Sequence, residues 1–271
     1  MHHGKPSFAD RRRPKNARFG GQKPQPLRVL YEDSDLIAVE KPAHLATVPG
    51  RGEQDDLLHR LADQIGIPAS GSADPRLRIV HRLDKQTSGV ILLAKTGAMH
   101  RHLSMQFQQN RVQKEYLAIV LGKPRESEGI IDGDIAPHPS AKDKMAVVRQ
   151  GKPALTHWRM ERKLGPFSLI RCFPKTGRTH QIRVHLFSIG LPLAVDPLYH
   201  RPAAGEEEGL MLSHWKRNYR PNAQETERPL IARMTLHAEK LMFTKPDGST
   251  QTIECEPPKD FRATVNQLGR L

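Results

Sequence analysis

From Leu27 onward the chain is a succession of short β-rich runs divided by turn residues, with few helical stretches between them. That pattern most constrains the fold. LRVLYEDSDLIAVEKP holds two such runs around Asp33-Ser34-Asp35 and predicts a hairpin over 28–40. RLRIV at 76–80, GVILLAKT at 89–96, EYLAIVLG at 115–122, KMAVVR at 144–149, ALTHWRMERK at 154–163 and FSLIRCF at 167–173 read as further strands. TLHAEKLMFTKPDGSTQTIECEPP at 235–258 closes the series as a hairpin turning on Pro246-Asp247-Gly248-Ser249. Helical spacing is confined to three places. Apolar residues at 57, 58, 61 and 65 precede a stop at Gly66. Thr96 is placed to cap a helix over 97–110. Ile182, Leu186 and Ile189 mark one face of a helix capped by Thr179 and stopped by Gly190. Many strands with little βαβ alternation predict an α+β fold, a mixed and mostly antiparallel β-sheet core with flanking helices.

The flanks differ from this body. Residues 1–26 are Gly, Pro, Gln and cations with almost nothing to bury, and read as a basic disordered arm. Residues 27–258 are the expected folded domain, with a polar, proline-rich surface insertion at 201–230, and 259–271 a C-terminal tail. The arm carries seven Lys/Arg against Asp10, so of the net +14 the remaining +8 belongs to the body. Such charge favours a polyanionic partner, because each phosphate contact releases condensed counter-ions. No apolar run approaches the roughly 18–20 residues of a membrane span, and the basic N-terminus lacks a secretory core, so a cytoplasmic protein is expected. Cys172 and Cys255 stand far apart without CxxC spacing, which speaks against a structural zinc site.

Three segments carry chemistry. In HRLDKQTSG, residues 81–89, Asp84 lies between Arg82 and Lys85, cations that favour its charged form. With no second carboxylate nearby and no HExxH or DxD, a nucleophile or a structural counter-ion remains, the counter-ion being the commoner fate. A kinase loop is disfavoured: Leu83 interrupts His-Arg-Asp, and no Gly-rich phosphate loop precedes it. In KTGRTHQIRVH, residues 175–185, Lys175, Arg178, His180, Arg183 and His185 crowd around a helix start, a credible site for phosphate or carboxylate. Arg183, between Ile182 and Val184, needs a carboxylate partner if buried, and Asp84 is a candidate. Tyr116 heads a strand; there it can be core, or it can stack on an unpaired base. An aromatic content of 5% gives no support to a broad stacking platform.

Taken in order, EKPAHLATVPG (40–50), HRLDKQTSGVILLAKT (81–96), KEYLAIVLG (114–122), KMAVV (144–148), PKTGRTHQIRVHL (174–186), DPLYH (196–200) and LHAEKLMF (236–243) resemble the RluA family of RNA pseudouridine synthases. The resemblance spans about 27–258, and its second and fifth segments are the specific ones. DPLYH and AVEKPAHL depart from the family's usual residues, and the small N-terminal RNA-binding domain of some members has no counterpart. The resemblance implies cofactor-independent isomerisation of uridine in structured RNA without a metal; large-subunit ribosomal RNA is the expected target ahead of transfer RNA, and a monomer is expected. Asp84 matches the catalytic aspartate, Tyr116 the ring that stacks on uracil, and Arg183 the partner of the aspartate. Arg82 matches the residue that fills the space left by a flipped nucleotide, and His81, Lys175, Arg178 and His180 are implied RNA contacts. The competing reading is a non-catalytic RNA-binding or ribosome-assembly factor on the same fold.

Overall fold

The computed structural model describes residues 25–50, 55–200, 209–216, 219 and 227–271. The predicted hairpin at 28–40 is formed by β1 (Val29–Glu32) and β2 (Leu36–Lys41), with the Asp33 carboxylate accepting from the backbone N–H groups of Asp35 and Leu36 in the turn. Next comes α1 (Leu57–Ile65), capped by the Asp56 side chain on His59 N and ended by left-handed Gly66. The pair β3 (Arg78–Ile79) and β4 (Ser88–Ala94) flanks the HRLD loop, β3 being only two residues long. Thr96 caps α2 (Gly97–Gln108) by accepting from Met99 N. Then follow β5 (Gln113–Leu121), β6 (Glu128–Asp132), β7 (Asp134–Pro137), β8 (Met145–Val148), β9 (Leu155–Leu164) and β10 (Phe167–Pro174). After α3 (Gln181–Ser188) the chain ends with β11 (Leu236–Thr244), β12 (Thr250–Glu254) and α4 (Lys259–Leu268).

The main sheet runs β1-β2-β4-β11-β5-β10-β9-β6, with β3 joined to β4 and β12 to β11; β7 and β8 pair separately. Only the β4–β11 junction is parallel among these pairings. Every residue of β4 is buried, as a continuous apolar run covered on both faces requires. On β5 successive side chains alternate faces. Ala118 and Val120 join Ile182 and Leu186 of α3, while Leu117 and Ile119 join Phe261 and Leu268 of α4.

Gly89 sits where β4 meets β11. Its φ is +125°, and a β-carbon there would lie 2.1 Å from the Ala238 carbonyl oxygen. The clash is with backbone, which has nowhere to move. Gly89→Ala is therefore expected to destabilise by about 1–3 kcal/mol or more, read as a lower urea midpoint at unchanged slope; an unchanged midpoint would refute the close approach.

Several expectations need correction. The tail at 259–271 contains α4, whose Phe261, Thr264 and Leu268 are buried against the sheet. Within 201–230 the described residues 209–216 are not a polar excursion: Leu210, Met211 and Leu212 are buried, and Trp215 meets Phe167 edge-on at 4.6 Å. The N-cap of α3 is His180 in a left-handed conformation, not Thr179, and Ile189 is exposed rather than on the buried face. The arm at 1–26 lies, up to residue 24, outside the described residues. No described helix is long and apolar enough to cross a membrane.

Candidate active site

Asp84 stands on the loop between β3 and β4, and two buried side chains fasten that loop from below. Lys41, fully buried at the end of β2, donates to the carbonyls of Pro42 (2.9 Å), Leu45 (2.7 Å) and Lys85 (3.0 Å). Three carbonyls match the three N–H bonds of an ammonium. Burial lowers its pKa to about 7, with the negative Asp84 opposing the fall. Thr47 Oγ1 donates to Leu83 O at 3.0 Å and accepts from Leu83 N at 3.3 Å, so the residue before Asp84 is held on both backbone groups. A turn bond from Thr87 N to Asp84 O completes the loop.

From the opposite side α3 brings Arg183, as its burial demanded. The guanidinium is 3% exposed and donates from Nη1 to Asp84 Oδ2 at 3.0 Å. Its other edge meets Asp196 in a two-pronged pair, Nε to Oδ2 and Nη2 to Oδ1, both at 2.8 Å, and Asp196 is fully buried. Burial would lower the pKa of Arg183, but hydrogen bonds and charge from Asp196, then Asp84, outweigh it and raise the value. Asp196 Oδ1 also accepts from Leu198 N and Tyr199 N, which ties the DPLYH segment to the same centre. The Tyr199 ring lies under Arg183, 5.1 Å from centroid to guanidinium carbon.

Tyr199 also meets His180. Its oxygen accepts from Met145 N at 2.8 Å, and burial raises the phenol's pKa so that it keeps its proton. The same hydroxyl hydrogen-bonds with His180 Nδ1 at 3.0 Å, and the other ring nitrogen, Nε2, lies 3.8 Å from Asp84 Oδ2. Burial lowers the pKa of His180 against the pull of Asp84, so the ring is neutral near pH 7.

Above Asp84 opens a cavity of about 510 Å³, lined by the HRLD loop, the end of α2, Lys114 and Tyr116 of β5, and residues 176–183. Its volume is in the range of small-molecule sites. Tyr116 pairs with Ala238, which pairs in turn with Gly89, so Tyr116 stands two strands from the start of β4, with β11 between them. Burial, then the charge of Asp84, raises its pKa and keeps the phenol protonated. Arg82 is exposed at the rim. Arg178 is exposed as well and anchors through Nε to Pro153 O at 3.0 Å, while Lys175 is exposed on the adjoining loop.

His81 and His185 do not behave as cations. Burial, then Lys114, draws the pKa of His81 down to about 3; its Nε2 accepts from Leu92 N, and the ring stacks on Phe107 at 4.6 Å. His81 thus walls the cavity as a neutral ring. His185 is buried between Thr156 Oγ1 and Gly133 O and props α3 on the sheet. Sequence reasoning assigned no part to Lys41, Thr47, Lys114, Asp196 or Tyr199. The available signal was the buried Arg itself, since a fork with two edges has room for two carboxylates. Among the described residues no group of three His, Cys, Asp or Glu could hold a metal ion.

The sequence model of a family described as RNA pseudouridylate synthase matches residues 35–188, which contain Asp84, Tyr116 and Arg183. The chain is 40% identical over 249 residues to a ribosomal large subunit pseudouridine synthase D of Nitrosomonas europaea, covering 91% of this chain and 66% of the relative. It is 36% identical to the protein of that name in Zymomonas mobilis, covering 90% and 73%. It therefore spans about two thirds to three quarters of the length of these relatives. Among solved structures, human RNA pseudouridylate synthase domain containing 1 is similar, with a TM-score of 0.65, 26% identity, and coverage of 89% of this chain and 87% of that one.

Proposed function

The chain belongs to the RNA pseudouridylate synthase family, and we propose that it converts uridine to pseudouridine in large-subunit ribosomal RNA with Asp84 as the catalytic carboxylate. The observation that carries this reading is the aim of Asp84. Its carboxylate is three-quarters buried at the base of the cavity and fixed by Arg183, and Tyr116 lines the wall beside it. The reaction breaks the bond from ribose C1′ to uracil N1, turns the base, and joins C1′ to C5. The C5 proton is lost and N1 gains one, so nothing enters or leaves overall. An anion held at that spot can attack C1′ or the base ring, or take a ribose proton, and each route needs it pre-oriented. Arg183 supplies the orientation at no cost in reorganisation, because Asp196 already holds it.

Tyr116, protonated and lining the cavity, is suited to stack on uracil and hand a proton during the turn of the base. Arg82, exposed beside Asp84, is suited to fill the gap left in the RNA stack. The relatives' names support ribosomal RNA as the target. Incubating the purified chain with unmodified large-subunit rRNA transcript, and mapping pseudouridine by chemical modification and primer extension, tests the reading. Conversion at defined uridines is expected without any nucleotide cofactor. RNA that is bound yet unchanged would overturn it in favour of a binding factor, and conversion confined to a tRNA transcript would overturn the ribosomal target.

A further inference from the structure

Lys41 is buried and Lys114 half-buried in this site, and they differ in how their ammonium groups are bonded. Lys41 uses all three N–H bonds on protein carbonyls. Lys114, half-buried on β5, uses one, to Thr176 O at 3.1 Å. Among the described residues the titratable groups that face it are Lys175, a second cation from the loop after β10, and His81, which is neutral; neither can balance its charge. A cation taken partly out of water without a counter-ion is costly, and Lys114 lines the cavity. Residues two apart on a strand share a face at about 7 Å, so Lys114 lies one such step from Tyr116, on the scale that separates a base from its own phosphate. The loop opposite contributes exposed Lys175 and Arg178, and its backbone comes close: a β-carbon on Gly177 would be 3.9 Å from the Lys114 ammonium.

Resting on the proposed function, we infer that Lys114, with Lys175 and Arg178 beside it, binds a backbone phosphate of the target nucleotide. The counter-ion that the described residues do not supply arrives with the RNA. Contact by an ammonium to phosphate is charge-assisted, and its loss should be felt in binding more than in the chemical step.

The test uses the full chain, the unmodified large-subunit rRNA transcript, and the variants Lys114→Gln and Lys114→Arg. Lys114→Gln is expected to lower kcat/KM by about 10–100-fold, mostly through KM. It should also make the slope of log affinity against log salt shallower by about 0.7, the loss of one single-strand phosphate contact. A pH profile separates charge from shape. Burial, then Lys175, places the free Lys114 pKa at about 8, so the binding-competent cation is lost as pH rises through that value. The wild-type kcat/KM should fall there, and Lys114→Arg, permanently charged, should not show that fall. A wild-type salt slope in Lys114→Gln, or the same alkaline fall in Lys114→Arg, would overturn the assignment. Filter binding gives the salt slope whether or not pseudouridine forms. A failure of conversion by the wild type would thus count against the function alone, and an unchanged slope against Lys114 alone.

Discussion

Asp84→Asn is expected to lower pseudouridine formation by roughly three to six orders of magnitude, as loss of a nucleophile does elsewhere, while the protein stays folded and still binds RNA. The amide keeps the size of the carboxylate but is neither a nucleophile nor a base. The structural cost is small for a specific reason: Arg183 loses one bond of 3.0 Å and keeps two of 2.8 Å to Asp196. The Asp84 loop is likewise held by its neighbours rather than by its own side chain, through Lys41 on Lys85 O and Thr47 on Leu83. Pseudouridine yield, filter binding of the same transcript and a thermal melt, measured together on one preparation, check all three clauses. Ordinary conversion by the variant would end the nucleophile assignment. Loss of binding in parallel with activity would make Asp84 a structural counter-ion after all.

The contrast between what was legible and what was not follows the range of the interactions. Thr96 and Gly66 were readable because a cap or a left-handed stop is decided within a few residues. The hairpin at 28–40 was readable because its turn residues and alternation are adjacent. α4 was not: its buried face runs Phe261, Thr264, Leu268, and a threonine in the middle breaks the apolar pattern. His180 rather than Thr179 begins α3 because the Gln181 side chain already accepts from Arg178 N and Thr176 Oγ1, which fixes the turn ahead of the helix. At the site, burial of Arg183 pointed to a carboxylate and Asp84 was the nearest candidate in meaning, though 99 residues away. Asp196 carries no such signal, because nothing local shows that a loop thirteen residues past Arg183 folds back onto it. Lys114 is legible only in three dimensions, since a lysine without a counter-ion looks like any other in a sequence.

Asp196→Asn should show the converse of Asp84→Asn: a large loss of stability with a smaller loss of chemistry. Asp196 is fully buried, and its two oxygens take four N–H donors, two from Arg183 and those of Leu198 and Tyr199. An amide can still satisfy the backbone donors with its oxygen, but its NH₂ then faces the guanidinium, donor against donor. Breaking a buried pair costs about 3–5 kcal/mol; with Asp84 remaining as a partner, about 3 is expected, a fall in Tm on the order of 10 °C for a chain of this size. Activity should drop by about 10–100-fold, because Arg183, released on one edge, no longer presents Asp84 at a fixed angle. The two carboxylates share one cation, so their effects cannot add. Asp84→Asn made on top of Asp196→Asn removes the last partner of a buried charge and should cost about 1–3 kcal/mol more than it does in the wild type. Chemical denaturation of the four proteins gives that coupling directly. A coupling near zero would mean that Asp196 does not hold Arg183 for Asp84, and the orientation of the catalytic carboxylate would have to come from its own loop.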